Sequence, residues 1–388
     1  KARLSVYLNQ NNLKSITENR EEKFLNTKII YHQKLFKNSI DSNLFFETNS
    51  GNLPQQEYTF LEVEPGLGTY KWIDINGNNI QELEEFEIAV FEDEGRYIRV
   101  LLPNQIFIRT YQNKLNYSLN INFLKLKKSD LGFYKFLSKI SNQFQYSLDK
   151  KTNLDINPEI EINPFNIDEN SLLAYNYSLK NVFYFNRSKQ KFSLAFTFLE
   201  NKLKNNFSFG STKSSSLMKK INFIHKIGDL YLIEVIGNKQ KKTNWSENFQ
   251  DKNYNINDYS INPKLTYYSG ENNRINFIYK LSNIDNSIGN QESLKQQNFG
   301  ISLFLNQKDK TGFISEFNYF KNEFEGDINS VISYIMMNGL QKGENYTWSF
   351  KFQRKLSKLI DINFVYLGRK SNSLRTIHNG SIQLKAIF

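Results

Sequence analysis

The end of the chain alternates between apolar and polar side chains, and this pattern constrains the fold more than any other. Ile382, Leu384, Ala386 and Phe388 fall on one face of an extended segment, with Gln383 and Lys385 between them. Such a segment, ending on an aromatic residue, is typical of the last strand of a transmembrane β-barrel, with apolar side chains toward lipid and polar ones toward the lumen. The sequence therefore predicts an all-β fold built around an antiparallel transmembrane barrel.

Many earlier segments repeat the same alternation. They are about 10 to 14 residues long, which suits a tilted membrane strand. The clearest of them cover residues 173–179, 192–198, 221–227, 275–281, 299–305, 346–352 and 362–366, and two earlier candidates cover 115–123 and 140–148. About twelve strands after residue 171 and these two earlier ones predict about fourteen strands, within a range of twelve to sixteen.

The composition agrees with a barrel. Mean hydropathy is −0.57, and no run of about 18 apolar residues occurs that would form a membrane-spanning helix. Aromatic residues make up 15% of the chain, and barrels use such residues on the lipid face and at the membrane interfaces. After Pro164 only Pro263 remains, as expected where strands need their N–H donors.

One detail conflicts with the strand count. Counting strands back from the C-terminus puts long connections near 206–215, 244–255 and 288–295 on the same side as the C-terminus, whereas the long loops of such barrels face away from the periplasm. Either one strand is miscounted around 326–345, or this barrel is unusual, and we favour a miscount.

The sequence pattern of residues 1–108 differs from that of the rest of the chain. Short strand-like pieces at 4–8, 29–36 and 44–47 precede an acidic stretch, 82–94, and a strong strand, 97–102, with Pro54, Pro65 and Pro103 between them. We therefore predict a small soluble β-rich region over 1–108 and a barrel over 109–388. Because the given sequence starts at Lys1 without a signal peptide, which an outer-membrane protein needs, Lys1 is expected to be a mature end or an internal cut. The strand-like first segment favours a cut or a processed fragment.

One loop carries the spacing of a calcium site. Asp74, Asn76 and Asn78 occupy positions 1, 3 and 5 of a twelve-position loop, Ile80 occupies position 7, and Glu85 position 12. Alternate oxygens and a distal carboxylate at this spacing can surround Ca²⁺. Asn79 stands where glycine normally makes the turn, so the two open readings are a weak structural Ca²⁺ site and an Asn/Gly turn leading into a short acidic helix.

The sequence favours a protein without catalytic activity. It has no cysteine, no Gly-x-Ser-x-Gly elbow, no phosphate-binding Walker loop, and three histidines, His32, His225 and His378, without an evident partner. Net charge is +11, which predicts an anion-attracting lumen or contact with anionic lipid, or reflects a general abundance of lysine. No module with a basic patch and base-stacking aromatics suggests nucleic-acid binding.

Two stretches resemble large outer-membrane proteins of the Bacteroidota. One runs from Gly66-Leu67-Gly68-Thr69-Tyr70-Lys71-Trp72-Ile73-Asp74 through Glu87 and on to Tyr97-Ile98-Arg99-Val100. The other runs from Asn338-Gly339 to Trp348 and from Tyr366-Leu367-Gly368-Arg369 to the end. The resemblance implies a β-rich region followed by a barrel, and a chain that forms the C-terminal part of a longer protein. Members usually read Asn-Gly-Asp-Gly at positions 76–79, so the departure here weakens the implied ion site.

Two functions remain open at this stage. The first is a transport pore of the bacterial outer membrane, with polar lumen residues such as Lys351, Lys280 and Asn276 setting its selectivity. The second is a non-transporting anchor or scaffold subunit of an outer-membrane secretion or assembly complex, with a plugged barrel. The expected partners are outer-membrane lipid and lipopolysaccharide, together with other outer-membrane or periplasmic proteins in the second case.

Overall fold

The alternating segments form long antiparallel strands. The structure, a computed structural model, describes residues 1–15, 20–36, 38–54, 57–102, 107–123, 132–156, 162–187, 191–207, 210–270, 272–307, 311–357, 359–372 and 374–386. Sixteen strands form one large sheet in the order β1-β2-β3-β8, followed by β9 to β20 in sequence, and four strands form a small sheet in the order β4-β7-β5-β6. All the described pairings are antiparallel, so the predicted all-β antiparallel class is confirmed.

The large sheet contains strands of 10 to 18 residues. They are β1 (Ala2–Ser15), β2 (Arg20–Leu35), β3 (Ile40–Pro54), β8 (Phe107–Asn122), β9 (Ile140–Asn153), β10 (Leu172–Phe185), β11 (Phe192–Phe207), β12 (Gly210–Ile227), β13 (Tyr231–Ser246), β14 (Tyr254–Ser269), β15 (Asn273–Asn286), β16 (Ser293–Gln307), β17 (Thr311–Glu325), β18 (Gly343–Lys355), β19 (Ile360–Ser371) and β20 (Ile377–Ala386). The small sheet contains β4 (Glu57–Glu62), β5 (Tyr70–Trp72), β6 (Phe86–Ile88) and β7 (Tyr97–Leu102). Two short helices are α1 (Gly132–Leu137) and α2 (Val331–Met336), and neither is long and apolar enough to cross a membrane.

The pairing register gives the large sheet two chemically different faces. Side chains at alternate positions of each strand lie on the same face. The apolar face includes Phe196, Phe223, Val235, Leu265, Phe277, Ile301, Phe317 and Trp348. The polar face includes Asn222, Glu234, Lys264, Asn276, Ser302, Glu316 and Ser349. The apolar face is open to the surroundings, since Phe277 and Ile301 are 48% and 50% exposed.

The strands end at two sides, here called the upper and the lower end. β1 begins and β20 finishes at the lower end, whereas β3 ends and β8 begins at the upper end. The connections that follow β9, β13, β15 and β17 begin at the upper end, opposite residue 386. The sidedness conflict in the sequence therefore disappears. The expected long loop near 206–215 consists mostly of strand, because β11 and β12 pair as far as Phe207↔Gly210.

The predicted strand count of about fourteen differs from the sixteen observed. Eleven strands follow residue 171 instead of twelve, because the segment 326–342 is a connection that contains α2. Its Val331-Ile332 pair favours a strand, but Ser330 caps a helix by accepting a hydrogen bond from the Ser333 N–H at 3.0 Å. Three further strands lie before residue 55, where polar residues such as Thr27 and Ser42 interrupt the apolar face and make the segments look short.

The predicted boundary at residue 108 also differs from the structure. β1, β2 and β3 belong to the large sheet, where β3 pairs with β8 from Ile40↔Ile121 to Pro54↔Phe107. Of the region predicted to be separate, only residues 57–102 form their own sheet, inserted between β3 and β8. This insertion at the upper end is called the cap below.

The two outermost strands of the large sheet run antiparallel to each other. No pairing between β1 and β20 occurs among the described residues. Both edges nevertheless carry exposed aliphatic side chains, such as Leu4 and Leu384, each 63% exposed. The terminal Phe388 lies outside the described residues.

Candidate functional site

The cap is held together by a small aromatic core. The Phe60 and Phe86 rings stack at 4.1 Å between centroids, and Tyr70 and Tyr97 meet these rings edge-on at 5.0 and 4.9 Å. Phe86 and Tyr97 are buried. Aromatic pairs of this geometry stabilise beyond the burial of their area, so a cap of only 46 residues can keep a fixed shape.

The glycines at 66 and 68, in the first resembling stretch, allow this backbone segment to pass close to the backbone around Gly95. A Cβ on Gly68 would lie 2.4 Å from the Tyr97 nitrogen, and one on Gly95 would lie 2.2 Å from the Gly68 oxygen. The Gly66 and Gly68 N–H groups both donate to the Gly95 oxygen, at 2.9 and 3.1 Å. Only glycine fits at this crossing, so the motif has a structural role in the cap.

Arg369 of β19 holds the cap against the polar face of the large sheet. Its guanidinium bonds both carboxylate oxygens of Asp93, and one nitrogen also donates to Glu94 at 3.1 Å. The guanidinium carbon lies 4.0 Å from the centroid of the Phe91 ring. A bidentate, largely buried arginine pair of this kind is stronger than an ordinary surface ion pair.

Tyr334 of α2 forms a second attachment. Its hydroxyl donates to Glu94 at 2.8 Å and accepts from the Val90 N–H at 2.9 Å, while the Lys71 Nζ lies 4.4 Å from its ring centroid. Burial, and then the hydrogen bond to Glu94, raise the pKa of Tyr334 above its ordinary value. The hydroxyl therefore stays protonated, and stays a donor to Glu94, throughout the neutral range.

A third attachment comes from the connection between β13 and β14. The Lys252 Nζ lies 2.5 Å from the Glu87 carboxylate and donates to the Phe86 carbonyl at 3.1 Å. Near the end of β11, the Phe207 ring meets Tyr58 of the cap edge-on at 5.2 Å. The cap thus contacts four separate positions around the upper end of the large sheet.

Beneath the cap, an apolar cluster fills part of the upper end. Its buried members come from β14 to β17 and from α2 with its following turn, and they are Ile256, Ile284, Leu294, Phe324, Ile332, Met336, Met337 and Leu340. Phe91 of the cap packs against this cluster. A Cβ on Gly339, which has a φ of +73°, would lie 2.9 Å from the Phe91 ring and 3.2 Å from the Val90 Cβ, so the cap and the α2 connection touch at van der Waals distance.

The rest of the polar face is rich in groups that can bond water and ions. Lys220, Lys242, Lys264, Lys280 and Lys351 lie on it together with Glu234, Asp258 and Glu316. The predicted lumen residues Lys351, Lys280 and Asn276 all lie on this face. Within the described part of the chain, side-chain oxygens of Asn222, Asn238, Asp258, Asn262, Ser282 and Asn298 have no hydrogen-bond partner. Such atoms are usually satisfied by water.

The residues of the predicted calcium loop lie close together but bond one another. Asp74 accepts from the Gly77 and Asn79 N–H groups, Asn76 from Asn78 and Asn78 from Ile80, at 2.6 to 3.0 Å. Asn79 has a φ of 56°, as the turn reading requires. These contacts are Asx turns, which need no ion.

The distal carboxylate of that loop is turned into the cap. Glu85 is 1% exposed, and it accepts from the Trp72 indole N–H at 2.7 Å and from the Ile75 N–H at 3.1 Å. Both carboxylate oxygens of Glu85 therefore already accept hydrogen bonds from N–H groups of the cap. Glu85 would have to give up these bonds to bind a cation through both oxygens. The described residues contain no group of three or more acidic, histidine or cysteine side chains poised for a metal. Calcium binding at Asp74 to Glu85 stays a prediction.

The three histidines lie apart on the large sheet. His225 stacks on Phe223 of the apolar face, the Tyr366 hydroxyl lies 2.7 Å from the His378 Nδ1, and His32 contacts Asn43 and Asp41. None of these contacts forms a nucleophile–base pair. The absence of catalytic activity stays a prediction.

No sequence pattern marks Arg369, Glu94 or Tyr334 as a contact between the cap and the large sheet. The bonds between Arg369 and the cap join residues 275 and 276 positions apart, and Tyr334 bonds Glu94 across 240 positions. The second resembling stretch supplies Gly339 and Arg369, but the cap residues that these two contact, among them Phe91 and Asp93, lie between the two pieces of the first resembling stretch, 66–87 and 97–100. The resemblance therefore did not indicate this interface.

Comparison with known proteins gives little further information. No protein-family model matches the chain, and no curated protein matches it. Among solved structures it is similar to outer-membrane expressed OmpT of Vibrio cholerae, with a TM-score of 0.33 and 7% identity over 87% of this chain and 89% of that one. It is also similar to the P. putida toluene transporter TodX, with a TM-score of 0.25 and 8% identity over 99% of this chain and 86% of that one. These TM-scores support no inference about function.

Proposed function

We propose that the protein is a bacterial outer-membrane β-barrel that forms a polar transport passage, and that the cap controls its upper mouth. The observation that carries this proposal is the division of one sixteen-stranded sheet into an exposed apolar face and a polar face to which the cap is attached. The substrate is left open.

Closure of the sheet into a barrel is part of the proposal. β1 and β20 are antiparallel, as an even strand number requires, and both continue the apolar face at their exposed edges. On β14 this face runs from Tyr259 to Tyr267, which at about 3.3 Å per residue is roughly 26 Å along the strand. A tilt of about 40° converts this to roughly 20 Å of depth, near the ~25 Å apolar band of such barrels.

The strand number favours transport. Barrels of 16 to 18 strands leave an aqueous channel, whereas those of about eight strands are filled by their own side chains. The polar face also offers Lys280, Lys351 and many amide groups toward that channel. With the cap attached by Arg369, Tyr334 and Lys252, we expect the closed state to conduct poorly and displacement of the cap to open the passage.

A disulfide lock tests this function. The chain has no cysteine, and a Cβ on Gly339 would lie 3.2 Å from the Val90 Cβ. The two segments need to separate by a few tenths of an ångström, and the Phe91 ring to move aside, to reach the ~3.5–4.5 Å separation of a disulfide. The double variant V90C/G339C should conduct in planar bilayers after reduction and stop conducting after oxidation. The single variants V90C and G339C are the controls, and oxidant should not change their conductance.

An unlocking variant complements that experiment. R369A leaves Asp93 and Glu94 without their guanidinium partner, so we expect it to raise the fraction of time that the passage is open above that of wild type. K370A, on the apolar face of the same strand, is the control. Conductance that is independent of the lock and of Arg369 would contradict the proposed role of the cap.

The second candidate is a non-transporting anchor subunit of an outer-membrane complex. One observation favours it: the cap exposes large apolar side chains, with Leu67 72%, Ile88 68% and Leu101 63% exposed. Exposed apolar patches often mark protein interfaces. Stoichiometric partners recovered with the wild-type protein in mild detergent, and lost from an L67S/I88S/L101S variant, would support this alternative, as would wild-type and R369A proteins that insert but never conduct.

A further inference from the structure

A cluster of lysines interrupts the apolar face at one height. On β12, Ile221, Phe223 and Ile227 occupy that face toward the lower end, and Lys219 follows them toward the upper end. On β13, Tyr231 and Val235 are followed in the same way by Lys239 and then Lys241. All three lysines are exposed. They therefore form a patch at the upper edge of the apolar band, called the lysine patch below.

The lysine patch brings like charges together. Lys219 and Lys239 are directly opposite each other in the register of β12 and β13, and Lys241 lies two positions from Lys239 on the same face. Side chains directly opposite have Cβ atoms about 5 Å apart, and like charges in such pairs are destabilising. A bound anion would remove this repulsion.

Neighbouring carboxylates do not neutralise the lysine patch. The nearest one on that face, Glu200 of β11, lies 2.9 Å from the Lys202 Nζ and so has its own cation. Lys213 is paired in the same way with Glu169, also at 2.9 Å. Within the described part of the chain, Lys219, Lys239 and Lys241 form no salt bridge with any carboxylate. The patch thus carries three positive charges beside lysines that are already paired.

The position of the lysine patch indicates which kind of anion it would bind. The Lys239 Nζ lies 4.8 Å from the centroid of the Tyr259 ring, and tyrosines at the edge of an apolar band sit at the level of the lipid headgroups. We propose that Lys219, Lys239 and Lys241 bind the phosphate groups of lipopolysaccharide in the outer leaflet. This inference rests on the proposed outer-membrane barrel, with the upper end facing outward because most of its long connections lie there.

The test compares two triple variants of the full chain purified in detergent. K219Q/K239Q/K241Q removes the lysine patch, and K220Q/K242Q/K280Q removes three lysines from the polar face of β12, β13 and β15 as a charge-matched control. Lipid A with two phosphates is titrated onto each protein and counted by native mass spectrometry. Each lysine near an anionic surface contributes about a factor of five, so the patch variant should bind lipid A about 100-fold more weakly, and the control variant as wild type.

Competing ligands and insertion into bilayers distinguish lipopolysaccharide binding from binding of other anions and from failure of the proposed function. Phosphate-free lipid A should bind as weakly to wild type as bisphosphorylated lipid A binds to the patch variant. Equal binding of phosphatidylglycerol, or displacement by millimolar inorganic phosphate, would overturn the assignment to lipopolysaccharide. If wild type and the patch variant insert into bilayers alike and bind lipid A alike, this inference alone fails. If wild type does not insert at all, the proposed function fails regardless of lipid binding.

Discussion

At the scale of single residues, Glu85 is a fully buried carboxylate whose hydrogen bonds hold the cap together. Its buried carboxylate accepts from the Trp72 indole and the Ile75 backbone N–H, so E85Q would point an amide NH₂ at one of these donors. Leaving a buried group unsatisfied costs about 1–3 kcal/mol. We therefore expect E85Q to lower the free energy of unfolding of the cap by that amount, as measured by Trp72 fluorescence in denaturant, with Trp245 and Trp348 replaced by phenylalanine.

The same assay decides the calcium prediction. E92Q is the control for charge, since Glu92 is exposed nearby, and it should unfold as wild type does. If Ca²⁺ binds the loop from Asp74 to Glu85, millimolar Ca²⁺ should raise the unfolding midpoint of wild type and not that of D74A. Identical midpoints with Ca²⁺ and with chelator would contradict the calcium site and leave the loop as a turn.

At the scale of elements, one ion-pair cluster ties the β9–β10 connection to the large sheet. Glu169 bonds the Lys213 and Lys204 ammonium groups at 2.9 and 3.1 Å, and these bonds lower the pKa of Glu169 below its ordinary value of 4.5. A lowered pKa means that the contact stabilises above about pH 4.5 and is lost as pH falls through the folded-state pKa. The effect is small because the Glu169 side chain is 61% exposed.

Hydrogen exchange can detect this dependence. At pH 7, E169Q should increase exchange in residues 162–171 relative to wild type, and once intrinsic rates are corrected the difference should shrink as pH falls below 4.5 and Glu169 takes up its proton. D229N changes a carboxylate that is 97% exposed at the lower end and serves as the control. A difference between E169Q and wild type that stays constant as the pH is lowered would contradict the assignment.

Strands could be predicted from the sequence where their apolar and polar faces differ along the whole strand. β15 to β20 alternate without long interruption, so period 2 alone locates them. β2 and β3 were predicted too short because Thr27 and Ser42 stand on their apolar face just before the predicted pieces. The miscounted strand around 326–345 falls where the Val331-Ile332 pair, which favours a strand, begins α2. Local pattern thus fails where tertiary packing overrides it.

At the scale of the whole molecule, the attachment of the cap could not be predicted. Arg369 follows an ordinary strand pattern, and its value as an attachment arises only because the fold brings Asp93 and Glu94 to it from 276 and 275 positions away. The lysine patch is similar, since Lys219 and Lys239 become neighbours only through the register of β12 and β13. Long-range register, more than composition, decides where charge accumulates on this chain.

The charge of the polar face leads to a prediction about ion selectivity. Lys280 and Lys351 lie on that face, so an open passage should prefer anions over cations. K280E/K351E, made together with R369A to hold the passage open, should lower the anion-to-cation permeability ratio by roughly a factor of 5, equivalent to about 1 kcal/mol. The reversal potential in a salt gradient measures this ratio.

The matched control is K239E/K241E in the same R369A background. It changes the same amount of charge on the apolar face and should leave the permeability ratio unchanged, because outward charges do not line the passage. Equal shifts from both pairs would mean that the ions do not pass along the polar face.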